Sequence, residues 1–327
     1  MELDAIFTAS VFASAIRLAT PYIFAALGET FAQRSGVLNL GVDGMMLMGA
    51  FTGFYAVFIT QQEGSLSQPL SLIFGVLIAL IVGGLMGLAM AFVSVTLKAK
   101  QGISGIGVYL FGLGLSELLF QQWVGTPKSV SGFPRIEFHF LTNLPVVGDL
   151  FHHEKHFIGE IFFHHNLLVY AAFALVPISA FVLNRTTFGL MIRAVGQNPE
   201  AADAMGVSVG RVRYATTTIG GMLAGLAGAS LSIALINLFQ QNLTAGQGFI
   251  AVALVYFGGW RPWAVAAGAM LFSFVNALQL QIKVIGLDIP SEFAVMAPYV
   301  ITIIALVFAS KRQEQPTALT KPYERGE

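Results

Sequence analysis

The chain has 327 residues, of which 56% are apolar and only 10% charged, with a mean hydropathy of +0.75. A soluble domain carries about 25% charged residues, so a water-facing surface cannot be built here and a soluble enzyme is excluded. Seventeen Lys and Arg against 17 Asp and Glu leave no basic field for nucleic acid, and the absence of cysteine excludes disulfides and thiolate metal sites.

A membrane-crossing helix needs about 20 mostly apolar residues. Such runs lie near Ile6–Leu27, Met45–Thr60, Leu70–Leu97, Ile103–Phe120, Leu167–Leu183, Thr216–Ile236, Gly248–Gly259, Trp263–Ile282 and Phe293–Phe308. The expected fold is therefore an all-α polytopic bundle of about nine spans, eight to ten, with a transmembrane domain over 1–310 and a tail over 311–327. The seventh run has only 12 residues before Trp260-Arg261-Pro262. It must borrow the uncharged polar stretch before it or enter only part of the bilayer, as a broken or re-entrant helix. The pairs Gly83/Gly87 and Gly221/Gly225 have the small-xxx-small spacing that lets helix backbones approach closely.

Lys and Arg bias sets orientation. Twelve basic residues, among them Arg34, Lys98, Arg185, Arg193, Arg213, Arg261 and Lys321, fall on one side, against Lys128, Arg135, Lys155 and Lys283 on the other. The N-terminus is then outside and the C-terminus cytoplasmic. Glu2 and Asp4, with no basic residue before Phe7, do not form a signal-peptide n-region. An external loop covers about 122–165 and a cytoplasmic loop about 185–213.

Several kinds of chemistry are missing. No G-x-x-x-x-G-K-[ST] occurs, so the chain has no phosphate-cradling loop of its own. Gly102-Ile103-Ser104-Gly105 matches the serine motif of intramembrane proteases, but a serine nucleophile needs a neighbouring base, and all six histidines (His139, His152, His153, His156, His164 and His165) lie in or beside the external loop. His152 and His156 have metal-ligand spacing, but short external loops are often simply His-rich and solvated, and no metal is expected.

Only Arg17 and Glu117 fall clearly within apolar runs. A mid-bilayer arginine costs about 2.5–3.5 kcal/mol, so each faces protein or water, either as a structural bridge or along a solute path. Such scarcity argues against an ion-coupled carrier and suits a neutral polar solute moved by energy from elsewhere, or a passive channel. Within the cytoplasmic loop, Asn198-Pro199 reads as a helix start, Pro199–Met205 as a short helix ended by Gly206, and Phe188–Val195 as a preceding helical stretch. Two exposed short helices can dock in another protein's groove or lie on the membrane surface.

Four segments, Gly28–Ala50, Arg193–Val207, Gly220–Ala229 and Gly248–Phe272, occur in an order that resembles the membrane permease of bacterial ABC importers in the branched-chain amino acid and simple-sugar superfamily. The first and last are most similar to the nucleoside-uptake branch, with simple-sugar and branched-chain amino acid permeases as alternatives. The resemblance implies an inner-membrane transport subunit that is not itself an enzyme. ATP and Mg would bind a separate cytoplasmic ATPase, and the other partners would be a second permease chain, an external solute-binding protein and membrane lipid. It implies coupling to the ATPase through Arg193, Gly196, Asn198, Pro199, Ala201, Ala202 and Gly206, with Ala201 and Ala202 letting the helix seat closely in the partner. Asn39 and Asp43 fall in its N-terminal motif, where many members have Glu in place of Asp43. Arg17, Asn39, Asp43, Ser104, Glu117, Gln247 and Phe249 are the translocation-path candidates.

Overall fold

The computed structural model describes residues 8–136, 161–285, 296, 300, 304 and 315–324. Their fold is all-helical, with two isolated β-bridges and no strand among the described residues. The helices are α1 (Ala9–Arg34), α2 (Val42–Gln62), α3 (Gln68–Ala91), α4 (Gln101–Trp123), α5 (Leu167–Arg185), α6 (Thr187–Gln197), α7 (Pro199–Ala204), α8 (Val209–Ser230), α9 (Gln247–Phe257) and α10 (Pro262–Ile285). π-helical turns extend α3 through Phe92–Thr96 and α8 through Leu231–Leu235.

Seven of these helices are long and apolar enough to cross a membrane. The described residues thus account for seven of the nine expected spans. The run Gly248–Gly259 is the 11-residue α9, about 16 Å long against a hydrocarbon core of about 30 Å, so it crosses only half of the bilayer. The run Phe293–Phe308 lies outside the described residues apart from 296, 300 and 304.

α8 is the central post, packed on α1, α2 and α3. Its glycines make this possible. A Cβ on Gly220 would stand 3.2 Å from the carbonyl oxygen of Gly28. One on Gly87 would lie 2.7 Å from Thr217 O and 3.1 Å from Gly221 Cα. The two small-xxx-small pairs of the sequence therefore meet each other, backbone to backbone, where lipid supplies no hydrophobic drive and van der Waals contact must hold the helices. α1 and α2 are largely buried beside α8, whereas α4 lies at the periphery and exposes Ile103, Ile106, Leu110, Phe111 and Leu118.

One end of the bundle is tied by neutral polar groups. Gln61 exchanges two bonds of 2.9 Å with Ser131, Gln68 donates to Gly132 O at 3.1 Å, and Asn166 caps α5 and donates to Ala234 O at 3.1 Å. The opposite end gathers Arg34 and Arg193 around one cavity of about 370 Å³ together with Gln197, Trp260 and Pro316. Arg34 and Arg193 thus lie at this end, while Lys128 (over the Phe58 ring) and Arg135 (bridged to Asn166) lie at the other.

Candidate functional site

Two neighbouring structures carry the candidate site: a broken span inside the bundle and a short-helix segment at its basic end. Between Leu235 and Gln247 the chain leaves helical geometry, with left-handed backbone at Asn237 (φ 60°), Asn242 (φ 52°), Ala245 (φ 45°) and Gly246 (φ 86°). Phe239 plugs this stretch into the core against Phe51 (ring centroids 5.4 Å apart), Phe120 (5.2 Å) and Phe54 (6.3 Å). Irregular backbone at membrane depth is tolerated only where protein buries it or where it lines a watery cavity. Phe239, Leu243 and Thr244 are buried, while Gln240, Gln241, Asn242 and Ala245 are exposed.

Two buried side-chain systems hold α9 at its two ends. Asp43, fully buried in the first turn of α2, accepts the backbone N–H of Gly248 at 2.8 Å on Oδ1 and the hydroxyl of Thr244 at 3.0 Å on Oδ2. A carboxylate at a helix N-terminus also meets the positive end of the helix dipole. A Cβ on Gly248 would collide with the Asp43 backbone, so glycine is required for this approach. At the other end, Trp260 Nε1 donates to Gln33 Oε1 at 2.7 Å, and Gln33 Nε2 donates to Glu29 Oε1 at 3.0 Å. The same Glu29 oxygen accepts the amide of Asn39 at 2.9 Å, so one carboxylate joins α1 to the elbow before α2. Asn39 shapes that elbow by accepting the Gly41 amide at 2.9 Å. Glu29, Gln33 and Asn39 are all 1% exposed or less.

The expected first span ends at Leu27, which leaves Glu29 and Gln33 outside it, and no local spacing marks Trp260 as their partner. The helix runs on to Arg34, since its polar side chains find partners inside the protein. Arg17 and Glu117 are therefore not the only ionisable groups in the spans: Glu29, Asp43 and Arg213 are buried in the helices. Arg17 is half-buried in α1 and donates to Ser14 Oγ at 3.0 Å. Glu117 is half-buried and accepts from Gln121 at 3.4 Å, and no bond joins it to Arg17. Ser104 donates to its own helix at Lys100 O, 3.0 Å away, on the outer helix α4. Phe249 stands half-open with its ring edge-on to Tyr109, centroids 5.1 Å apart, and Gln247 beside it is partly exposed. Four histidines (His139, His152, His153 and His156) lie outside the described residues.

The short-helix segment forms as its caps dictate. Thr186 accepts the Gly189 amide at 3.1 Å to start α6, and Asn198 accepts the Ala201 amide at 3.0 Å to start α7, with Pro199 in the first turn. Gly206 (φ 85°) reverses the chain. Gly196 lies against the carbonyl of Arg34 so closely that any side chain would collide there, which pins α6 to the end of α1. Arg193 donates back to Gly189 O at 3.4 Å. Ala201 is exposed, but Ala202 is 5% exposed and packs inward with Phe31, Ile192, Val195 and Val209. Its small size therefore serves the chain's own core. The apolar group presented outward is Met205, 85% exposed at the end of α7.

Residues 11–306 match the family model described as "Branched-chain amino acid transport system / permease component". The chain is 38% identical to a putative glucose ABC transporter permease protein, TsgC13, of Haloferax volcanii, over 98% of both chains. It is 35% identical to the guanosine ABC transporter permease protein NupQ of Bacillus subtilis and 34% identical to the nucleoside ABC transporter permease protein NupC of Lactococcus lactis, each over 94% of both chains. No solved structure matches. The chain belongs to this permease family and is an ABC importer permease.

Proposed function

We propose that this permease moves a neutral polar solute, nucleosides foremost, through the inner membrane, driven by a cytoplasmic ATPase that grips α7. The observation that carries the reading is the broken span. It exposes Gln240, Gln241 and Asn242, with the Tyr109–Phe249 ring pair and Gln247 on the same segment and its neighbour α4, and none of these groups is charged. Amides hydrogen-bond sugar hydroxyls and base edges, while aromatic faces stack on a planar base, so the surface suits an uncharged solute with an aromatic part.

The same geometry offers a transmission path. Motion imposed at Pro199 reaches Gly196, which abuts Arg34. Arg34 adjoins Gln33, and Gln33 holds Trp260 at the end of α9. At its start α9 hangs on Asp43. In this reading a push on α7 shifts α9, and the solute surface with it, between outward and inward openings. ATP and Mg²⁺ belong to the ATPase. A second permease chain covers the exposed face of α4, and a solute-binding protein delivers to the outer mouth. The basic end faces the cytoplasm, with the N-terminus outside.

A second reading, a simple sugar as solute, is favoured by the 38% identity to the glucose permease. Uptake of labelled guanosine and labelled glucose by vesicles holding the assembled transporter separates the two. Saturable guanosine uptake that excess glucose does not inhibit supports the first reading, and the reverse pattern supports the second.

A further inference from the structure

We propose that the C-terminal segment 315–324 is a clip that fastens the α6–α7 segment to the elbow behind it and forms, with α7, the surface that meets the ATPase. The segment lies beyond the last apolar run and beyond the family match, which ends at 306.

The clip is held chiefly by backbone groups, all at one place. The amide of Ala318 donates to Gly196 O at 2.9 Å, and the amide of Thr320 donates to Gly36 O at 3.2 Å. Arg213, 1% exposed, bridges the two sides: its Nε donates to Ser35 O at 3.2 Å and its Nη1 to Lys321 O at 3.0 Å. The Thr317 hydroxyl donates to Gln197 O, and Lys98 pairs with Glu324. Gly36 (φ 94°) leaves no room for more: a Cβ there would stand 2.9 Å from both Ala318 O and Arg213 Nη2. Pro316, Ala318 and Leu319 are buried, and Tyr323 packs on the cluster that holds Ala202. Ordering each residue of a tail costs about 1–2 kcal/mol of backbone entropy, so a segment this fully bonded belongs to the folded unit.

What the clip leaves open is as specific as what it buries. Between it and α7 lies a cavity of about 440 Å³, with Asn198, Pro199 and Glu200 on one wall and Lys321, Pro322 and Glu324 on the other. A protein that seats on α7 must therefore meet 321–324 as well. The proposed occupant is the ATPase subunit, because the cavity is continuous with the helix through which it couples. This inference rests on the ABC-permease reading above.

The chain has no cysteine, so an introduced cysteine is the single thiol of this subunit, and cross-links absent from the cysteine-free parent report its contacts. In the assembled transporter, Glu200→Cys, Pro322→Cys and, at the opposite end, Gln62→Cys are each treated with a short cysteine-to-amine cross-linker. The inference expects the first two to capture the ATPase subunit to a comparable extent and the third to capture none. Capture from position 200 with none from 322 overturns the clip surface and leaves the coupling assignment standing, whereas capture from neither overturns both. As a second arm, Ala318→Pro removes the donor to Gly196 and should reduce capture from Glu200→Cys severalfold, with the variant still inserted and paired. Unchanged capture there overturns the fastening role.

Discussion

Asp43 accepts the amide of Gly248 at 2.8 Å across 205 residues of sequence, tying the first turn of α2 to the first turn of the half-span helix α9. Asp43→Ala leaves that amide and the Thr244 hydroxyl buried without acceptors, at about 1–3 kcal/mol for each unsatisfied group. Uptake should fall by roughly tenfold or more, the factor that about 1.4 kcal/mol represents. Asp43→Asn keeps an oxygen for Gly248, and the Thr244 hydroxyl can rotate to accept from its amide, so the loss should be smaller. Vesicle uptake by the assembled transporter, with the amount of inserted protein measured in parallel, checks the order.

Trp260→Phe keeps an aromatic ring, smaller than the indole, but removes the donor to Gln33 Oε1. A buried amide oxygen is then left bare, at a cost of about 1–3 kcal/mol. If α1 drives α9 through this bond, ATP hydrolysis persists while uptake per ATP declines. A parallel fall of both, at constant ratio, would show that the bond only supports folding.

Gly221→Val places a branched side chain where α8 meets the backbone of α3 at Gly83 and Gly87. Overpacking costs about 1–3 kcal/mol or more where backbone must shift, so the melting temperature in detergent should drop by several degrees. The same change at Gly107, whose Cβ position is open, should leave melting unchanged.

His165, 2% exposed, has its Nε2 bonded to Ile161 O at 2.7 Å, and its pKa lies below the ordinary 6.5. Burial is the main cause, with Arg17, Arg135 and His164 adding repulsion, while the bond to Ile161 partly opposes them. Because the unfolded imidazole binds its proton more readily, this contribution is complete above the unfolded value near 6.5. It is lost as pH falls from there through the lowered folded value. Melting in detergent should therefore weaken on acidification below that point, and His165→Gln should flatten the slope.

The small-xxx-small pairs, the cap of α7 and the shortness of the seventh run were legible because each depends on local spacing. Glu29, Gln33 and Trp260 were not, although the i, i+4 spacing of Glu29 and Gln33 could have extended the first helix. Their burial is tolerated only because Asn39 and Trp260 arrive from distant parts of the chain. Arg213 reads as a loop charge for the same reason: the carbonyls that satisfy it come from Ser35 and Lys321. Arg17 and Glu117 stood out in the sequence only because charges within apolar runs are rare, and no bond joins them.

The central claim is that this chain moves solute only when a separate ATPase drives it through α7. Purified protein is placed in vesicles with and without its ATPase and solute-binding partners, and labelled guanosine and glucose are followed with ATP present. The account predicts accumulation against a gradient only in the complete assembly, abolished by a charge at Ala201 while hydrolysis continues. Concentrative uptake by the polypeptide alone would contradict it.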